Sequence, residues 1–141
     1  MSQPPDPPTA ATETLLVVEN ESAIRNLVQM ALERQGYVVL AAESGKEALR
    51  LANGHDGRIH LLITDVVMPD LKGPDLARQL VALRPGLIVL FMSGYLDDAL
   101  DQYGSQTTHV DFIHKPFSPR ALASKVREML DQAQGPAVQQ T

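Results

Sequence analysis

The 141 residues suffice for one domain with a substantial core, and 44% apolar with 21% charged residues is ordinary for a soluble globular chain. A net charge of -5 with no Lys/Arg-rich stretch gives no sign of nucleic-acid binding, and the lack of cysteine excludes disulfides, thiol catalysis and cysteine-ligated metal. No run approaches the ~20 apolar residues that cross a bilayer, and Met1–Pro8 has neither the basic nor the apolar region of a signal peptide. The cytoplasm is the expected compartment, without membrane association.

Residues 1–13 are Pro/Thr/Ala-rich and predict a flexible tail or linker. Leu15–Val18 reads as a first strand that stops at Glu19-Asn20-Glu21. Ile24, Leu27, Val28, Ala31 and Leu32 then share one helix face, and Gly36 is placed to cap that helix. Val38–Ala41 predicts a second strand. Ser44 and Glu47 form a capping box for a second helix, with Ala48, Leu51 and Ala52 inward and its end near Gly54. Leu61–Thr64 is a third strand ending at Asp65, followed by a Met68-Pro69-Asp70 turn. A third helix carries Leu76, Leu80 and Leu83 and stops at Pro85-Gly86.

The fourth strand, Leu87–Met92, ends at Ser93 and leads into a weaker helix with Leu96, Ala99, Leu100 and Tyr103 at helical spacing. Gly104, Thr107 and Thr108 mark a loop before a fifth strand over Val110–Ile113, which leads through His114 to Lys115-Pro116. Ser118 and Pro119 occupy the N-cap and first position of the last helix, whose buried stripe is Leu122, Val126, Met129 and Leu130. Residues 133–141 predict a loose C-terminal tail, leaving 14–132 as the folded domain.

Five alternations of strand and helix give a (βα)5 α/β fold. Because crossovers between parallel strands are right-handed, the helices must cover both faces of one doubly wound, five-stranded parallel sheet. Ligands and chemistry gather at the carboxyl ends of the strands in such sheets. An acidic cluster, a lone Asp, a hydroxyl and a Lys therefore converge on one edge. Oxygen donors of this kind suit a hard cation such as Mg²⁺, which bridges to phosphate. The hydroxyl and the Lys can hold other phosphoryl oxygens, and a carboxylate can itself be the nucleophile that forms an aspartyl phosphate.

The segments LLVVENE, LLITDVVMPD, LFMSGY and DFIHKPF, in this order and spacing, resemble a response-regulator receiver domain of two-component signalling over about residues 14 to 131. The finer pattern DVVMP…GP…LRPGL…LFMSGY…KPF is similar to receivers of hybrid sensor histidine kinases. The resemblance implies a flavodoxin-like sheet of order 2-1-3-4-5. It makes Asp65 the phosphoacceptor, supplied by a phosphohistidine on a histidine kinase or a histidine phosphotransfer protein. It assigns Mg²⁺ to Glu19, Asn20, Asp65 and the backbone carbonyl of Val67. Ser93 and Lys115 would contact the phosphoryl group, Phe112 would be the switch aromatic, and the Lys115-Pro116 bond would be cis. Partners, or a second copy in a weak homodimer, would read the surface of the fourth helix, fifth strand and fifth helix. The chain is expected to be a switch and not an enzyme, with no output domain of its own, either a small stand-alone regulator or the excised receiver of a hybrid kinase.

One residue departs from the family pattern. The second acid of the pair is here Asn20, which keeps an oxygen ligand but lacks a negative charge, so Mg²⁺ affinity and phosphorylation rate should fall. The alternative is a pseudo-receiver, an interaction module that carries no phosphate. An FMN binder shares the fold type, but Glu19-Asn20-Glu21 would repel phosphate where that class needs a Ser/Thr/Gly-rich loop. Blander readings stand beside each residue. Asp65 can cap a turn, Glu19 and Glu21 can serve the helix dipole, Ser93-Gly94 can be a turn, Lys115 can be solvated and Phe112 can be core. His55, His60, His109 and His114 lack metal-ligand spacing and read as loop or strand-edge residues.

Overall fold

Five parallel strands form the sheet: β1 (Thr14–Val18), β2 (Val38–Ala42), β3 (Leu61–Asp65), β4 (Ile88–Ser93) and β5 (Val110–His114), in the order β2-β1-β3-β4-β5. They are seen in a computed structural model that describes residues 13–94 and 110–139. Four described helices connect or follow them: α1 (Ser22–Glu33), α2 (Gly45–Gly54), α3 (Gly73–Leu83) and α4 (Pro119–Gln139). The helix expected over Leu96–Tyr103 and the loop after it lie outside the described residues. The fold class and strand order expected from the sequence are the ones observed.

The continuous apolar runs have a direct structural cause. β1, β3 and β4 are inner strands covered on both faces, and all their residues are buried. Leu16, Val18, Leu62, Val89 and Phe91 pack toward α2 and α3 with Ala48, Ala52, Leu76 and Leu80. The alternate residues Leu15, Val17, Ile63, Leu90 and Met92 pack toward α1 and α4 with Val28, Leu32, Leu122 and Val126. Each fully buried Leu or Ile contributes about 1.5–3 kcal/mol of transfer free energy, so the two layers fix the strand register firmly. β2 is an edge strand, and Val38 on it is exposed.

The predicted helix ends are largely realised. Ser44 Oγ accepts from the Glu47 backbone N–H at 3.1 Å, but the Glu47 carboxylate turns to Arg50 at 3.0 Å instead of completing the box. Gly36, at φ 100°, closes α1, and Ser118 Oγ caps α4 by accepting from the Ala121 N–H at 3.0 Å. Leu27 and Leu83 are exposed, although their spacing put them with the inward stripes. Both ends of the domain also exceed their expected bounds. Glu13, assigned to the tail, is buried against α4, where Arg127 meets it at 3.1 Å. α4 continues to Gln139 through Gly135-Pro136.

Candidate phosphoacceptor site

Register brings the four polar strand ends together. Val18 pairs with Thr64 and Asp65 with Met92, while Ser93 pairs with His114. Glu19, Asp65, Ser93 and Lys115 therefore follow one another across the carboxyl edge of the sheet. Backbone hydrogen bonds extend the ladder to that edge: Glu19 N–H to Ala42 O at 3.1 Å, Val66 N–H to Met92 O at 3.3 Å, and Lys115 N–H to Ser93 O at 2.8 Å. The Lys115-Pro116 peptide is cis, as the family pattern implies.

One ammonium group joins two buried carboxylates. Lys115 Nζ lies 2.7 Å from Asp65 Oδ1 and 2.9 Å from Glu19 Oε1. Glu19 is fully buried, and its second oxygen, Oε2, accepts from the Glu21 backbone N–H at 3.0 Å. Burial disfavours the Asp65 carboxylate, and the neighbouring Glu19 adds repulsion. Lys115 only partly offsets these effects, so the Asp65 pKa is pushed up to about 7. Burial works against the Lys115 ammonium as well, but its hydrogen bonds to Asp65 and Glu19 prevail and raise its pKa. The helix-dipole reading of Glu19 is not realised, since Glu19 precedes α1 and is engaged with Lys115. Glu21 sits at the N-cap of α1 without a side-chain cap bond.

Above this pair opens a hollow of about 270 Å³, lined by Asn20, Asp65, Val67, Gly94 and Lys115 among others. Asn20 and Val67 are exposed, whereas Asp65 and Ser93 are buried. Carboxylate, amide and carbonyl oxygens on one small hollow are the donor set a hard cation takes. By atom type the residues fit Mg²⁺. By charge they fit it less well: among the described residues no cluster of three or more His, Cys, Asp or Glu could hold a metal ion, and Asn20 occupies the place where a further acid would stand.

Phe112 is half-buried and stacks on Phe91, with ring centroids 6.3 Å apart and planes at 23°. The described histidines play no part in the site. His60 Nδ1 accepts from the Thr14 N–H at 3.0 Å, and His114 is an exposed strand end.

Two supporting residues escaped sequence reasoning. A Cβ on Gly73 would lie 2.1 Å from the Asp65 carbonyl oxygen, and the Gly73 N–H donates to Val66 O at 2.8 Å. The start of α3 is thus pressed against the backbone of Asp65. Asp70, read only as a turn residue, accepts from the Gly45 and Lys46 N–H groups at 3.2 and 2.9 Å. It caps α2 from the loop that also carries Val67. Glycine beside Pro74 at a helix start, three residues after Asp70, was the available signal. A second, apolar hollow of about 310 Å³ lies beside Lys115, between Ile24 and Leu27 of α1 and Pro116-Phe117. It accounts for the exposure of Leu27.

A family model for the response regulator receiver domain matches residues 15–127. The chain belongs to that family. It is 38% identical to the sensor kinase CckA of Brucella abortus over 122 residues, which are 86% of this chain and 13% of that protein. It is 30% identical to the response regulator receiver protein CpdR of Brucella abortus over 116 residues, covering 82% of this chain and 95% of the relative. A crystal structure of the receiver domain from the hybrid histidine kinase CckA superimposes with a TM-score of 0.70 at 36% identity, covering 83% of this chain and 98% of that one. The chain spans about half or less of the length of the first curated relatives it matches. The likeness to a hybrid-kinase receiver, read from the motifs, is therefore also present in sequence and in structure. Among the described residues no helix is long and apolar enough to cross a membrane.

Proposed function

We propose that this receiver is a phosphorelay switch in which Asp65 takes a phosphoryl group from a phosphohistidine. A carboxylate oxygen of Asp65 attacks phosphorus, the phosphorus–nitrogen bond breaks, and the imidazole leaves with its electron pair and picks up a proton. The observation that carries this reading is the Lys115 ammonium, 2.7 Å from Asp65 and 2.9 Å from Glu19 at the sheet edge. Lys115 is positioned to keep the acceptor oriented and then to follow the negative charge onto the phosphoryl oxygens. Ser93, buried at the end of β4, supplies the hydroxyl for another phosphoryl oxygen.

Glu19, Asn20, Asp65 and the carbonyl of Val67 are the residues that would hold Mg²⁺. The ion's part, when bound, is to offset charge on acceptor and phosphate. In this reading the protein is a switch and not an enzyme, and it works in the cytoplasm. Its donor is a histidine kinase or phosphotransfer protein, which the apolar hollow between α1 and Phe117 is suited to receive. The output is a change in the face that includes β5 and α4, with Phe112 responding to Ser93. That face serves a downstream protein or a weak homodimer.

A second reading, the pseudo-receiver, is favoured by one observation: Asn20 lines the hollow where a further acid would strengthen cation binding. The two readings separate in one experiment. The protein is incubated with acetyl phosphate, or with beryllofluoride, under saturating Mg²⁺, and mass and amide shifts are followed. An adduct at Asp65 supports the switch; its absence leaves the interaction module.

A further inference from the structure

α1 and α4 leave between them a groove of about 430 Å³ on the molecule's surface. Its walls include Ala31 of α1, Arg34 and Gln35 just past the end of that helix, and Arg120, Ser124 and Arg127 from α4. Three guanidinium groups thus share one channel in a chain of net charge -5. Arg127 is already engaged, by Glu13 at 3.1 Å, by Asp131 at 3.0 Å and by the Tyr37 hydroxyl at 3.1 Å. Arg34 and Arg120 differ: among the described residues neither side chain makes an ion pair or hydrogen bond. Glu33 and Glu128, on the same two helices, do not line the groove.

A solvated pair of arginines is the bland reading, and three features argue beyond it. The planar guanidinium fork matches carboxylate better than any other cation in proteins. Arg120 also stands in the first turn of α4, where the helix dipole adds positive potential. From Arg120 to Arg127 the helix rises about 10 Å, a span that about three residues of extended chain cover.

We infer that the α1–α4 groove docks an acidic segment of a partner protein, read by Arg34 and Arg120 with Arg127 closing one end. The inference stands apart from the chemistry of Asp65. In a protein that is acidic overall, this channel gives an approaching acidic segment one place to settle.

The test is an amide-shift titration of the full chain with a synthetic peptide of Leu-Glu-Glu repeats. Parallel titrations use the same peptide with Gln for Glu, inorganic phosphate, and a short DNA duplex. The acidic peptide is expected to move the amides of Ala31, Arg34, Gln35, Ala123 and Ser124. The double variant Arg34→Glu/Arg120→Glu, both exposed positions, should bind about tenfold more weakly, with acetyl phosphate labelling of Asp65 unchanged. The milder Arg34→Gln/Arg120→Gln variant should lose part of that affinity. The inference is overturned if the shifts fall elsewhere, if the Gln peptide binds as well, or if both double variants bind like the parent. Equal shifts with phosphate would reveal an unselective anion patch, and equal shifts with DNA a nucleic-acid surface; either result also overturns it.

Discussion

Lys115 Nζ is 2.7 Å from Asp65 Oδ1, and the same ammonium lies 2.9 Å from Glu19 on the other side. Two buried carboxylates at the carboxyl edge of a parallel sheet are thereby held by one cation that is itself mostly buried. Removing that cation strands the acids in a low-dielectric setting. Lys115→Met should destabilise the protein by about 1–3 kcal/mol at pH 8. Adding Asp65→Asn should restore a good part of the loss, because the second change removes one of the stranded charges. Urea unfolding of the two single variants and the double variant measures the coupling. Strict additivity would refute the shared-cation account.

The raised pKa of Asp65, about 7 against 3.8 for an ordinary aspartate, makes a signed prediction for the metal-free protein. Below pH 3.8 the group is protonated both folded and unfolded and contributes nothing. Between about pH 4 and 7 the unfolded chain releases this proton while the folded one keeps it, so stability falls as pH rises. Above 7 the penalty is complete. Asp65→Asn, which cannot ionise, should therefore flatten this part of the profile and stabilise the protein at pH 8 by about 1–3 kcal/mol. Unfolding midpoints at pH 4.5, 6 and 8 for parent and variant decide it, and a parent profile that rises over this window through Asp65 would refute the prediction.

How much of this was legible beforehand varies with the physics involved. The inner strands announced themselves because burial on both faces demands uninterrupted apolar runs, and two of their polar stops are Asp65 and Ser93. Lys115 follows the edge strand β5, whose shorter run placed it at the same sheet edge. Gly73 did not, because its role is a close approach between a helix start and the Asp65 carbonyl, a contact across the fold that leaves no periodic trace. Glu13 was assigned to a tail since its neighbours are Pro- and Thr-rich. Its partner Arg127 is 114 positions away and belongs to the last helix. The exposure of Leu27 was equally hidden, because helical spacing defines a stripe but not what covers each end of it.

Asn20→Asp should act in opposite directions with and without metal. Asn20 and Asp65 line one hollow. A new carboxylate there adds like-charge repulsion to the metal-free protein, lowering its melting temperature and raising the Asp65 pKa further. With Mg²⁺ present the same charge becomes a ligand, and the Mg²⁺ Kd should drop at least ~10-fold, or ~1.4 kcal/mol. Calorimetric titration and melting curves with and without Mg²⁺ provide the check. Unchanged Mg²⁺ affinity would show that the missing charge at this position does not limit the site.

Gly73→Ala tests how far Asp65 depends on the helix pressed against its backbone. The added methyl would meet the Asp65 carbonyl oxygen at 2.1 Å and Val66 Cα at 3.1 Å, both backbone atoms that no rotamer change can clear. Either α3 retreats or the end of β3 shifts. Overpacking of this kind costs about 1–3 kcal/mol, so the unfolding midpoint should fall without a change in m-value. The shift should also propagate to the site, since the displaced atoms belong to Asp65 and to Val66, which precedes Val67. Labelling of Asp65 by acetyl phosphate should slow even under conditions where the variant is fully folded. Gly54→Ala, at a glycine with open space around it, serves as the control and should leave the labelling rate unaltered. A Gly73→Ala protein that matches the parent in both stability and labelling would mean that α3 can yield without moving Asp65.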